Sequence, residues 1–160
     1  MTTTHRLAIC SLLVTLSASM ASPLAAGTPA PSADLAVIVN PAVSVAQLSA
    51  DELESIFTTS RRNWPDGSSV SVFSYPPDDA VRRAFDSAVL KMSADEVARF
   101  WLDQRVRGAS YRPPRQVPDP ALAARLVAKL PGSIAYVPEN FVNANVKVVA
   151  RIKAGKVVGP

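Results

Sequence analysis

Two stretches hold side chains whose types and spacing could do chemistry. In SYPPDDAVR, an alternating apolar run ends on Ser74 and Tyr75, passes two prolines, and sets Asp78, Asp79 and Arg82 at the start of an amphipathic helix. A strand that turns sharply into a helix N-terminus offers free backbone N–H groups and the positive end of the helix dipole, which together hold anions. Carboxylates in that place cap their own helix; the alternative is a site for a cationic or hydroxyl-bearing ligand. Ser74 and Tyr75, at the strand end, are expected to face solvent, with the rim of a cleft as the alternative. Arg82 is spaced to pair with Asp86 or Asp78, four residues to either side.

The second stretch is QRVRGASYRPPR, which brings Arg105, Arg107, Arg112 and Arg115 together with one tyrosine, Tyr111, and no acid. Its glycine and paired prolines make it a loop. A solvated basic loop accounts for this composition. Arginine beside an aromatic ring is also hot-spot chemistry for a carboxylate, a phosphate or a protein partner.

Other chemistries are excluded by what the chain lacks. Residues 1–26 have the layout of a secretory signal peptide: a short n-region with Arg6, an apolar run too short to span a bilayer, then small residues. Cleavage after Ala21 or Ala26 would give a periplasmic or secreted protein. The chain's one His (His5) and one Cys (Cys10) both lie in that segment. The mature chain then has no imidazole or thiol, which removes Ser-His-Asp and Cys-His catalysis and disulfides, and with them nearly every structural zinc site. No motif frames Lys91, Lys129 or the Asp51, Glu52, Glu54 group as catalytic, and acids in a helix's first turn belong there electrostatically. We expect no enzyme, no cofactor and no metal. Against 13 Asp+Glu the chain has 17 Lys+Arg, and losing Arg6 leaves a surplus of three, too small to argue for nucleic acid. No later apolar run has membrane length.

Residues 27–33 are small and Pro-rich and read as a flexible leader, so the domain is 34–160. Leu35 to Val39 is a buried strand by its unbroken apolar run. LSADEL and MSADEV repeat one helix start, with Ser49 and Ser93 as N-caps and Glu52 and Glu96 three residues on. Further strands are expected at 70–73, 133–137 and 146–152. Helices are expected from Asp79 through Val89, from Ser93 to Val106 with Val97, Phe100 and Trp101 inward, and from Asp119 to Leu130 with Pro120 at its first position. Strands interleaved with helices predict an α/β domain, a mostly parallel sheet covered on both faces.

Four phrases occur in an order that resembles the phosphate-type periplasmic solute-binding proteins of ABC transporters, which have the type II periplasmic-binding-protein fold. They are VIVNPAVSVAQLSADELESIF (Val37 to Phe57), NWPDGSSVSVFSY (Asn63 to Tyr75), AFDSAVL (Ala84 to Leu90) and PGSIAYVP (Pro131 to Pro138). The chain is similar to the short, single-lobe relatives of that family, whose full-length members grip an anion between two lobes. In the family this strand is followed by an Arg and a Gly-Ser-Gly-Thr loop. A gapless match puts Tyr75 at the Arg position and Asp78, Asp79, Ala80 and Val81 on the loop, with Arg82 on a frequent Arg beyond it. The resemblance implies an exported solute-binding-like protein for uptake or sensing of phosphate or another small anion. The substitutions leave a second expectation open: a non-catalytic interaction module of the cell envelope that has lost anion binding. Its partner would be an envelope protein, met through the Arg105–Arg115 loop, or a second copy of itself.

Overall fold

The computed structural model describes residues 34–108 and 112–160. The expected signal peptide, the leader and Tyr111 lie outside the described residues. β1 (Leu35–Val39) is wholly buried, as its LAVIV run requires. Two capping boxes start α1 (Ala50–Phe57) and α3 (Ala94–Val106). In each, the serine hydroxyl accepts from the backbone at the third helical position and the glutamate there accepts from the serine N–H, at 3.0 Å for Ser49 and 2.7 Å for Ser93. β2 (Ser71–Ser74) runs into α2 (Ala80–Phe85), whose N-cap is Asp79. β3 (Arg115–Gln116) precedes α4 (Pro120–Lys129), capped by Asp119 with Pro120 in its first turn. β4 (Ser133–Pro138), β5 (Lys147–Lys153) and β6 (Lys156–Val158) follow.

The six strands form one sheet in the order β3-β2-β4-β1-β5-β6. β2 pairs parallel with β3 and β4, β1 runs antiparallel to β4 and β5, and β6 closes a hairpin on β5. β2, β3, β4 and β5 therefore share one direction, and β1 and β6 oppose it.

Alternation along β4 assigns the helices to two faces. Tyr136 stacks on Phe85 of α2 at 3.8 Å and meets Phe57 of α1 at 5.5 Å. Ser133, on the opposite face, donates to the Val127 carbonyl of α4 at 3.2 Å. Asn40 ties the end of β1 to the same helix, donating to Val127 and Ala128 carbonyls that the helix end leaves without partners. The turn before β4 needs Gly132: at φ +72° a Cβ there would lie 2.3 Å from the Ser69 carbonyl oxygen. The Gly132 carbonyl in turn accepts from the buried Trp64 indole at 2.9 Å.

Three local features depart from the expectations. The helix over 79–89 is split, α2 continuing as a π-helical turn over Asp86–Leu90 that ends on Lys91 at φ 54°. β3 and β6 are too short to show periodicity. α3 buries only Val97, leaving Phe100 and Trp101 half-buried instead of inward.

Candidate ligand-binding site

The β2–α2 turn sits where β2 hands over to the N-terminus of α2, and its groups are satisfied from within. The Asp79 carboxylate accepts from the backbone N–H of Val81 at 2.7 Å and of Arg82 at 3.2 Å. Those are the amides an anion would need. Arg82 donates through Nε to Asp86 at 3.2 Å and through Nη1 to the Tyr75 carbonyl at 2.8 Å. Both Arg82 and Asp86 are largely enclosed, with side-chain exposures of 12% and 8%. Burial pushes the Asp86 carboxyl above its usual range, and Arg82 only partly offsets this. Asp78 is exposed, and its carbonyl accepts from Arg83.

Ser74 and Tyr75 correct the expectation of solvent exposure: they are 6% and 1% exposed. The physical reason is the fully buried Tyr136. Its hydroxyl bonds Ser74 Oγ at 2.7 Å, and its backbone carbonyl accepts from the Tyr75 hydroxyl at 2.7 Å. The Tyr75 ring meets the Tyr136 ring edge-on at 5.3 Å. Burial raises the pKa of both phenols, so both stay neutral. Tyr75, at the position where the resemblance places a ligand arginine, is part of the core.

The second stretch is divided in space. Arg105 and Arg107 lie exposed at the end of α3, where Arg107 pairs with Asp103 at 2.9 Å. Arg115 lies exposed on the edge strand β3. Pro113 and Pro114 meet the β2–α2 turn across a small cavity of about 160 Å³, walled also by Ser74, Pro77, Arg82 and Trp101. The two stretches thus share one cavity, which was not legible from their separation in sequence. That cavity is lined mainly by proline, alanine and indole, and its one cation is already paired. Further along the same helix that lends Ala94, Ala98 and Trp101 to the cavity, α3 exposes Leu102 (59%) and Val106 (78%).

Arg112 instead faces a different groove, at the start of β2, of about 520 Å³. Thr59, Arg61, Arg62, Asn63 and Ser69 line it as well. Sequence reasoning passed over these residues. No local signal announces them: the chain turns left-handed after α1 at Thr59, where the sequence has no glycine to mark it.

The described residues form one α/β domain with the fold of a single lobe of the proteins below, and the amides at its β2–α2 turn are taken by the chain's own Asp79. Among solved structures, the chain is similar to an ABC-type phosphate transport receptor from Vibrio cholerae (18% identity, TM-score 0.58, 74% of this chain and 47% of that one). It is similar also to a protein described as a phosphate ABC transporter substrate-binding protein with bound phosphate, from Clostridium perfringens (19%, 0.59, 75% and 46%). PstS from Borrelia burgdorferi matches comparably (15%, 0.56, 73% and 47%). The chain spans about half the length of these proteins. No protein-family model and no curated protein matches the sequence. No helix among the described residues is long and apolar enough to cross a membrane.

Proposed function

We propose that this chain is an exported, non-catalytic recognition lobe of the solute-binding-protein kind, acting in the periplasm or outside the cell through contact with an envelope protein. The observation that carries the reading is the closed turn. Asp79 occupies the helix amides, and Arg82 is committed to Asp86 and the Tyr75 carbonyl. An incoming phosphate would have to displace a carboxylate that is covalently tethered and already in place. The contact surface is the cavity at Trp101, Pro113 and Pro114 with the neighbouring Leu102, Val106 and Arg105. Cavities of about 150 Å³ accept a benzene-sized group, so one bulky side chain of a partner fits. Arginine and tryptophan are the residues that dominate such contacts.

Uptake or sensing of phosphate or another small anion is the second reading. It draws on the likeness to phosphate receptors and on the arginines that line the groove at the start of β2.

The test of the recognition reading is capture of a defined partner from envelope extract by the wild-type protein and by Leu102→Asp. Loss of that partner with an unchanged melting temperature supports the α3 surface. Equal capture by both overturns it.

A further inference from the structure

We propose that the groove between the end of α1 and the start of β2 binds an organic anion through carboxylate or phosphate oxygens. This site is separate from the α3 surface and from the β2–α2 turn, and it does not rest on the recognition reading.

Its lining is one-sided in charge. Arg61, Arg62 and Arg112 surround it, with Asn63, Ser69 and Thr59 between them, and no Asp or Glu lines the groove. Guanidinium groups present several N–H donors in a planar fork that matches carboxylate and phosphate oxygens. Arg61 directs Nε to the Asn63 carbonyl at 3.3 Å and Nη1 to Glu52 at 3.2 Å. These bonds orient its plane and leave the other amino group without a hydrogen bond among the described residues. Arg112 is exposed, and among the described residues it has no ion pair.

The wall behind these cations is tied together by hydrogen bonds. Asn63 and Ser69 form an isolated antiparallel bridge, Asn63 Nδ2 donates to the Gly67 carbonyl at 2.9 Å, and Val70 N–H donates to the Arg62 carbonyl at 2.7 Å. The Trp64 indole anchors the hairpin to Gly132. A site held this way loses little order when it binds.

Two local costs sit in the same wall. Thr59 adopts φ 58°, a left-handed conformation that is a true outlier for a β-branched residue. Its hydroxyl oxygen is buried and, among the described residues, has no hydrogen-bond partner. Strained backbone and orphaned polar groups cluster at functional sites because the surroundings must enforce them. The volume points to the ligand's size. At about 520 Å³ the groove is in the range of small-molecule sites and is far larger than one phosphate ion. An organic acid or a diphosphate-bearing molecule, bridging two or more arginines, fits it.

Isothermal titration with succinate and with inorganic pyrophosphate, at fixed ionic strength, is the experiment, and the probe bound more tightly assigns the class as carboxylate or phosphate. We expect saturable binding by at least one probe, weakened about tenfold or more in Arg112→Glu. Lys156→Glu, which makes the same charge change on β6 at the far edge of the sheet, should leave binding unchanged. If Arg112→Glu lowers the melting temperature, Arg112→Gln gives the same comparison without charge reversal. Absence of saturable binding below about 10 mM overturns the proposal. So does equal weakening by the Arg112 and Lys156 variants, which would mark attraction to net charge.

Discussion

The two ends of β2 treat charge in opposite ways. At its C-terminal end, Asp79, Arg82 and Asp86 are spent on one another and on the backbone, inside a small and mostly apolar cavity. At its start, three arginines border a groove with no acid in its lining, Arg61 reaching back to Glu52 behind it, beside a strained threonine whose hydroxyl has no partner among the described residues. The comparison teaches that a helix N-terminus is an anion site only while the chain leaves it empty. The same geometry filled by one carboxylate becomes a stabilising cap. The other end carries backbone strain and a buried hydroxyl without a partner among the described residues.

The largest effect should come from opening the closed end. Arg82→Met leaves Asp86 buried without its cation and the Tyr75 carbonyl without its donor. We expect a loss of about 3 kcal/mol in urea denaturation, the scale of breaking an enclosed ion pair. The double change Arg82→Met with Asp86→Leu should recover much of that, because neither charge is then stranded. A near-zero effect of the single change would mean the turn is not held as described.

Asp79→Ala comes next, at about 1 kcal/mol, the usual cost of losing an N-cap, whereas Asp79→Ser should be nearly silent. At the other end of β2 the sign reverses. Thr59→Gly removes the left-handed strain and the orphaned hydroxyl, and should raise stability by up to about 1 kcal/mol in the same assay. A destabilised Thr59→Gly would show that the threonine's packing outweighs its strain.

The acids should separate by pH. Asp86 is raised, so its contribution is fully present below the ordinary Asp range and is lost as pH rises through its folded-state value. Glu52 is lowered, chiefly by its bond to the Ser49 backbone, so its contribution is present above the ordinary Glu range and is lost as pH falls through its folded-state value. In melts from pH 7 down to about 3, wild type should therefore gain on Asp86→Asn and lose its advantage over Glu52→Gln. Parallel profiles for the two variants would contradict the assignment.

The smallest effect belongs to the exposed arginines. Arg105, Arg107 and Arg115 changed to Ala should each cost under about 0.5 kcal/mol, as exposed charges do.

Much of the fold was legible because local rules and tertiary demands agree. LAVIV is a central strand with both faces covered, and SADE starts two helices through the same reciprocal bonds. The Asp79 cap and the Arg82–Asp86 pair were readable because they are spaced within one helical turn. Ser74 and Tyr75 were misread because their partner, Tyr136, lies some sixty residues away and nothing local announces it. Arg112 was read with its sequence neighbours, yet it lines one groove with Arg61 and Arg62. β3 and β6 have too few residues for any period to appear.

The central claim is that the β2–α2 turn is occupied by the chain itself, and its two capped amides report on it directly. Phosphate titrated into the isotopically labelled protein, with the monomeric state verified in parallel, should leave the Val81 and Arg82 amide resonances in place up to about 10 mM. Saturable movement of those two resonances with a micromolar Kd would contradict the account.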